Sequence, residues 1–192
     1  MEIDQVNRRG LDPTGGYALE IGISFFDRAL GSDFNYQVFE LGMRYYWSFC
    51  EDHILMVRLK GSIGHDDVPF VYDLGDMNYV RGLSLDEREG TERWGATLEY
   101  RFPLYRDLNF EMLGLVKDVR GFIFFDVGAC TTDVIGRFSD WNDVDVVYSI
   151  GVGIRLDYHF LQHFALPLIL QIGKRLDEDA SPIFYATVSR KF

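Results

Sequence analysis

No stretch of this sequence is apolar for the roughly 20 residues that a membrane helix needs, and residues 1–16 carry no apolar segment of an export signal. Cysteine is scarce. Cys50 and Cys130 fit no zinc-ligand spacing, and a single pair does not define a disulfide framework, so both are expected simply to pack. Basic clusters are missing as well: the formal net charge is -11 and no run of Lys and Arg occurs, which excludes nucleic acid as a partner. Catalytic signatures are absent too. His53, His65, His159 and His163 are scattered, no serine sits in a G-x-S-x-G elbow, and no glycine-rich phosphate loop opens a helix. His65 beside Asp66 and Asp67 reads as an exposed loop histidine rather than a metal ligand. The expectation is therefore no enzyme activity, no catalytic residue, no metal and no cofactor.

What the sequence does have is aromatic residues, 16% of the chain, and 19 glycines against 5 prolines. That mixture suits many strands with close backbone approach better than a helical bundle. The 192 residues make one domain, 1–192. Sorting residues by parity exposes two unlike faces in segment after segment. Val146, Tyr148, Ile150, Val152, Ile154, Leu156 and Tyr158 share one face, while Ser149, Gly151, Gly153, Arg155 and Asp157 share the other. The segments 17–27, 35–49, 53–64, 93–104, 121–129, 146–158, 166–176 and 182–192 read as eight strands, with a long loop over 65–92.

A soluble eight-stranded barrel of lipocalin type alternates in the same way but turns its apolar face inward. Two features favour the membrane. Many runs reach the length that crosses a bilayer at a tilt, and Tyr17, Trp47, Phe49, Trp94 and Tyr158 fall near the ends of apolar faces, as an interfacial girdle requires. If Phe192 ends at the periplasm, the connections 28–34, 65–92, 130–145 and 177–181 lie outside, the side where membrane barrels carry their longer loops. The connection 104–120 is long for a periplasmic turn, and its Leu108, Met112 and Leu115 suggest a short amphipathic piece. Acid concentrates outside, at Asp66, Asp67, Asp73, Asp76, Asp86, Glu87, Glu89 and Glu92 and at 177–179. This is first a solvated loop surface, and second a place where divalent cations bridge to lipopolysaccharide.

Val80-Arg81-Gly82-Leu83, followed by the strand ending Glu99-Tyr100-Arg101-Phe102-Pro103-Leu104, resembles the signature of the BamA/TamA (bacterial surface antigen) family, whose VRG motif continues with an aromatic where Leu83 stands. Asp12-Pro13-Thr14-Gly15-Gly16-Tyr17 resembles the turn that opens an earlier strand of that barrel, and Leu30-Gly31-Ser32-Asp33 the loop after it. Phe122-Ile123-Phe124-Phe125-Asp126-Val127-Gly128 resembles its F-x-x-D-x-G strand. The resemblance implies an all-β, antiparallel transmembrane β-barrel in the bacterial outer membrane. The eight strands then correspond to strands nine to sixteen, the C-terminal half of a sixteen-stranded barrel.

The resemblance further implies that the 65–92 loop folds into the lumen and that Arg81 meets Asp126, with Glu99 a second partner. A guanidinium in a confined lumen needs carboxylates, because a lone buried charge costs several kcal/mol. Phe184, Ala186, Val188 and Phe192 share a face of the last strand and resemble the C-terminal signal by which outer-membrane proteins are recognised. The implied function is the barrel portion of a factor that assembles or translocates proteins, with outer-membrane lipid, lipopolysaccharide and client outer-membrane proteins as partners. Three alternatives stay open: a passive anchor for a fused enzyme such as a patatin-like lipase, a stand-alone small barrel, and a homodimer completing sixteen strands.

Overall fold

The computed structural model describes residues 1–9, 12–50, 52–66, 72–85, 87–106, 108, 110–111, 115–131, 144–160, 164–177 and 179–188. These build one antiparallel sheet from nine long strands: β1 Glu2–Arg9, β2 Asp12–Phe26, β3 Tyr36–Phe49, β4 His53–Asp66, β7 Glu92–Tyr105, β9 Leu115–Thr131, β10 Val147–Phe160, β11 Phe164–Arg175 and β12 Ile183–Val188. Neighbours in sequence are neighbours in the sheet, so the order is a simple meander. Two short strands, β5 Tyr72–Asp73 and β6 Glu89–Gly90, pair with each other within the long loop, and β8 Phe110–Glu111 pairs with the start of β9. The only helical element among the described residues is a 3-10 turn, Arg28–Leu30, capped by the Asp27 side chain. Among them the sheet runs from β1 to β12 without closing on itself.

Four expectations need correction. Nine long strands stand where eight were expected, because β1 pairs with β2 from Glu2↔Glu20 to Arg9↔Asp12. Its apolar residues, Ile3 and Val6, fall on opposite faces, so it shows no two-faced pattern. The segment 12–16, taken as a turn, is the opening of β2, and a register shift at Asn7/Arg8 absorbs its irregularity. The connection 104–120 shrinks to 106–114, since β7 continues to Tyr105 and β9 begins at Leu115. There is no helical piece at Leu115, and Met112 lies outside the described residues. Finally, Cys50 does not pack: it is exposed just after β3 with φ 48, whereas Cys130 is half-buried against the loop described below.

The burial of the two faces is the reverse of a soluble protein. The apolar side chains point out: Phe25 is 65% exposed, Ile150 and Val152 are each 52% and Trp47 is 55%. The polar side chains point in: Asp126 and Ser149 are fully buried, with Thr97, Glu99, Arg155 and Asp157 close behind. Leaving an aliphatic or aromatic side chain in water forgoes about 1.5–3 kcal/mol. Repeated along the long strands from β2 to β12, that loss rules out water as the solvent of the convex face. The lipocalin alternative fails on the same observation, because its apolar face is the buried one.

The connections sort by length onto the two ends of the sheet. At one end lie residues 10–11, 50–52, 106–114 and 161–163, and at the other 27–35, 67–91, 132–146 and 176–182. The second set is the longer at nearly every step, which is the asymmetry of outer-membrane barrels.

Candidate functional site: a loop locked onto the inner wall

The segment joining β4 to β7 turns back over the polar face instead of standing away from it. Leu74, Tyr79, Val80 and Leu83 are buried in it and cluster with Val147 of β10, with Cys130 of β9 against them. The segment is pinned on the β4 side by Ser62, whose hydroxyl lies 2.8 Å from the Tyr79 hydroxyl, and by Arg58, which donates to the Met77 carbonyl at 3.1 Å and to Thr97 at 3.0 Å. Arg93 of β7 donates to the Asp73 carbonyl at 2.6 Å, and its guanidinium lies over the Tyr79 ring, 3.8 Å from the centroid. These contacts deliver Arg81 to the middle of the wall.

Arg81 is 4% exposed and engages almost every donor it has. Its Nε donates to Asp126 Oδ2 at 2.8 Å and its Nη2 to Oδ1 at 2.9 Å, a two-pronged grip on one carboxylate. Its backbone N–H adds a third bond to Asp126 at 3.1 Å. Nη1 donates to Glu99 Oε2 at 2.9 Å and to Gln171 Oε1 at 3.1 Å. The planar fork also stacks on Phe124, 3.4 Å from the ring centroid. The planarity of arginine suits this combination of fork and face, which a lysine cannot reproduce. Burial works against the charge, but the Asp126 hydrogen bond and the nearby Glu99 carboxylate outweigh it and hold the Arg81 pKa above its ordinary value.

The wall supplies these partners by parity. Thr97, Glu99 and Arg101 alternate inward on β7, Phe122, Phe124 and Asp126 on β9, and Gln171 and Gly173 on β11. Arg101 donates from Nε to Glu99 Oε1 at 2.8 Å, so Glu99 serves two guanidinium groups. Gly82 has φ 87, the left-handed region that suits glycine, and a Cβ there would lie 2.8 Å from the Gly173 carbonyl carbon and the Lys174 nitrogen. The Gly82 N–H donates to the Tyr185 hydroxyl of β12 at 2.8 Å. The tip of the loop therefore touches β7, β9, β11 and β12 at once.

At the rim, Arg175 pairs with Glu87 and with Asp177, the latter at 2.6 Å, and Arg88 reaches Asp145 at 2.6 Å. Burial raises the Glu87 pKa, and its hydrogen bond to Arg175 more than offsets this, leaving it below the usual carboxylate value.

Of the residues singled out in the sequence, Val80, Arg81, Gly82, Leu83, Glu99 and Asp126 come together here. Leu83, standing where an aromatic was expected, is buried at 1% exposure in the loop cluster. Phe184 and Val188 lie elsewhere, exposed on the convex face of β12 at 64% and 58%, and Phe192 lies outside the described residues. Sequence reasoning puts Arg101 on the same polar face as Glu99, but missed Gln171, Tyr185 and the Phe124 platform. Parity held a signal for two of them: Gln171 and Tyr185 each break the outward apolar series of their strands by pointing the other way.

A search of the curated proteins found no match to this chain. The family model described as the Omp85 superfamily domain matches residues 2–163, from β1 through the end of β10. With an outward apolar face, a buried polar wall and this match over most of its length, the chain belongs to the Omp85 superfamily, whose members are bacterial outer-membrane proteins.

Proposed function

We propose that this chain is the C-terminal half of a barrel of BamA/TamA type, and that the protein carrying it assembles or translocates other proteins at the outer membrane. The observation that carries the reading is the loop lock, in which Arg81 of a Val-Arg-Gly-Leu segment is held by Asp126, Glu99 and Gln171. Four long strands precede that loop and five follow it, which in a sixteen-stranded scheme corresponds to strands eight to sixteen. In this reading β1 pairs with the preceding part of the barrel, and the edge of the last strand, β12, is the one that can template an incoming strand. Outer-membrane lipid is the partner of the convex face, lipopolysaccharide of the acidic outer loops, and client outer-membrane proteins of the β12 edge. A second copy, giving a homodimer, is the other way to occupy that edge. We assign the chain no catalytic step and no cofactor.

The test is to reconstitute the protein in liposomes and follow folding of an unfolded outer-membrane client. The expected result is faster client folding than in empty liposomes, reduced by Arg81→Ala. Folding at the empty-liposome rate refutes the assembly reading and leaves that of a passive anchor.

A further inference from the structure

Below the loop lock, toward the short connections, the wall encloses a cavity of about 390 Å³ whose charge is opposite to that of the chain. Seven cationic side chains line it against two carboxylates, Glu20 and Glu99. Both carboxylates are already engaged: Glu20 by Arg44, and Glu99 by Arg81 and Arg101. Asp126 and Asp157, just outside the lining, are held by Arg81 at 2.8 Å and by Arg155 at 3.0 Å. The cations are also placed against one another. Arg44 and Arg58 are direct cross-strand partners on β3 and β4, and Arg120 and Arg155 are direct partners on β9 and β10. Like charges directly opposite in a sheet repel, and the seven cations outnumber the four carboxylates named, so the wall favours a ligand with negative charge.

We infer that this cavity binds an acidic segment of polypeptide. Arginine forks grip carboxylates in two-pronged fashion. The remaining lining, including Tyr46, Met56, Phe122 and Ile169, offers apolar surface for the stems and backbone of such a segment, which a bare phosphate leaves unused. The cavity opens on the polar face and not on the convex apolar one, so a headgroup whose chains stay in hydrocarbon does not reach it. The volume lies within the usual range of ligand pockets, about 300–1,000 Å³. The inference extends the assembly reading and rests on it only for which protein supplies the segment. Binding to this chain is measured separately from client folding, so the two fail independently.

The experiment titrates a fluorescein-labelled glutamate-rich peptide, and its glutamine counterpart, against the full chain refolded in detergent. Expected are saturable binding of the glutamate peptide alone, weakening with salt, and a loss of about tenfold in affinity on combining Arg120→Gln with Arg155→Gln. Equal binding of the glutamine peptide, unchanged affinity in the double variant, or no binding at all overturns the inference. Displacement by tripolyphosphate at lower concentration than by unlabelled peptide overturns it too, in favour of a phosphate site. If the double variant fails to fold, phenylglyoxal modification of the unaltered chain decides. Protection of Arg120 and Arg155 by the glutamate peptide is expected, and identical modification with and without peptide counts against the site.

Discussion

Replacing Arg81 by alanine removes four side-chain hydrogen bonds and the stack on Phe124 in one step. Glu99 keeps Arg101 as a partner, but Asp126, fully buried, is left among the described residues with only the backbone N–H of residue 81. Stranding one member of a buried ion pair costs about 3–5 kcal/mol. At 1.4 kcal/mol per factor of ten, the open population of the loop rises by about two to three and a half orders of magnitude. Amide hydrogen exchange over residues 72–85 in detergent reads this directly, since local opening sets the exchange rate. Arg81→Lys keeps the charge but not the fork or the stack, and should fall between parent and alanine. Combining Arg81→Ala with Asp126→Asn should cost less than the sum of the two single changes, because the stranded carboxylate is the main penalty. Protection within about threefold of the parent, or strict additivity of the pair, refutes the reasoning.

Gly82→Ala puts a methyl group 2.8 Å from the backbone of β11 at a positive φ, and should raise loop exchange at least about tenfold while leaving the strands protected; parental exchange would show that the tip does not rest on Gly173. Val152→Arg, near the middle of β10 on the convex face, should lower unfolding stability in vesicles by about 2–4 kcal/mol, and an undiminished denaturation midpoint would contradict hydrocarbon contact there. The Glu87–Arg175 pair gives a pH dependence of definite sign. Because the Glu87 pKa is depressed, its contribution is present above the ordinary carboxylate value of 4.5 and is lost as pH falls through the lowered one. Protease cleavage near Ser84–Leu85 should accelerate in that acid window, and the acceleration should vanish in Glu87→Gln.

The two faces of the long strands were legible because alternation is a property of single residues. Ile150 against Ser149 needs no knowledge of a partner. β1 was not legible: it carries too little apolar surface for either face to declare itself, and only its pairing with β2 makes it a strand. The join at 106–114 was overread because Leu108 and Leu115 have helix-compatible spacing, whereas strand pairing decided the local structure. The partners Asp126 and Glu99 came from resemblance to a family pattern, not from chemistry visible along the chain. Gln171 lies 90 residues from Arg81 and Tyr185 lies 103 from Gly82, and contacts at such separations exist only once the meander has brought β11 and β12 round to the tip of the loop. The arginine-lined cavity was hidden for the same reason, since its cations are dispersed over five strands and the long loop within a chain of net charge -11.

The inverted distribution of side chains divides the sequence into positions that can drift and positions that cannot. On the convex side, attraction to hydrocarbon has no direction, so isoleucine, leucine, valine and phenylalanine are near-equivalents wherever the volume is not shared with a neighbour. On the concave side each guanidinium and carboxylate answers to a partner at a set angle, and a change at one obliges a change at another. Variation among natural relatives should accordingly be greatest where this protein is greasiest.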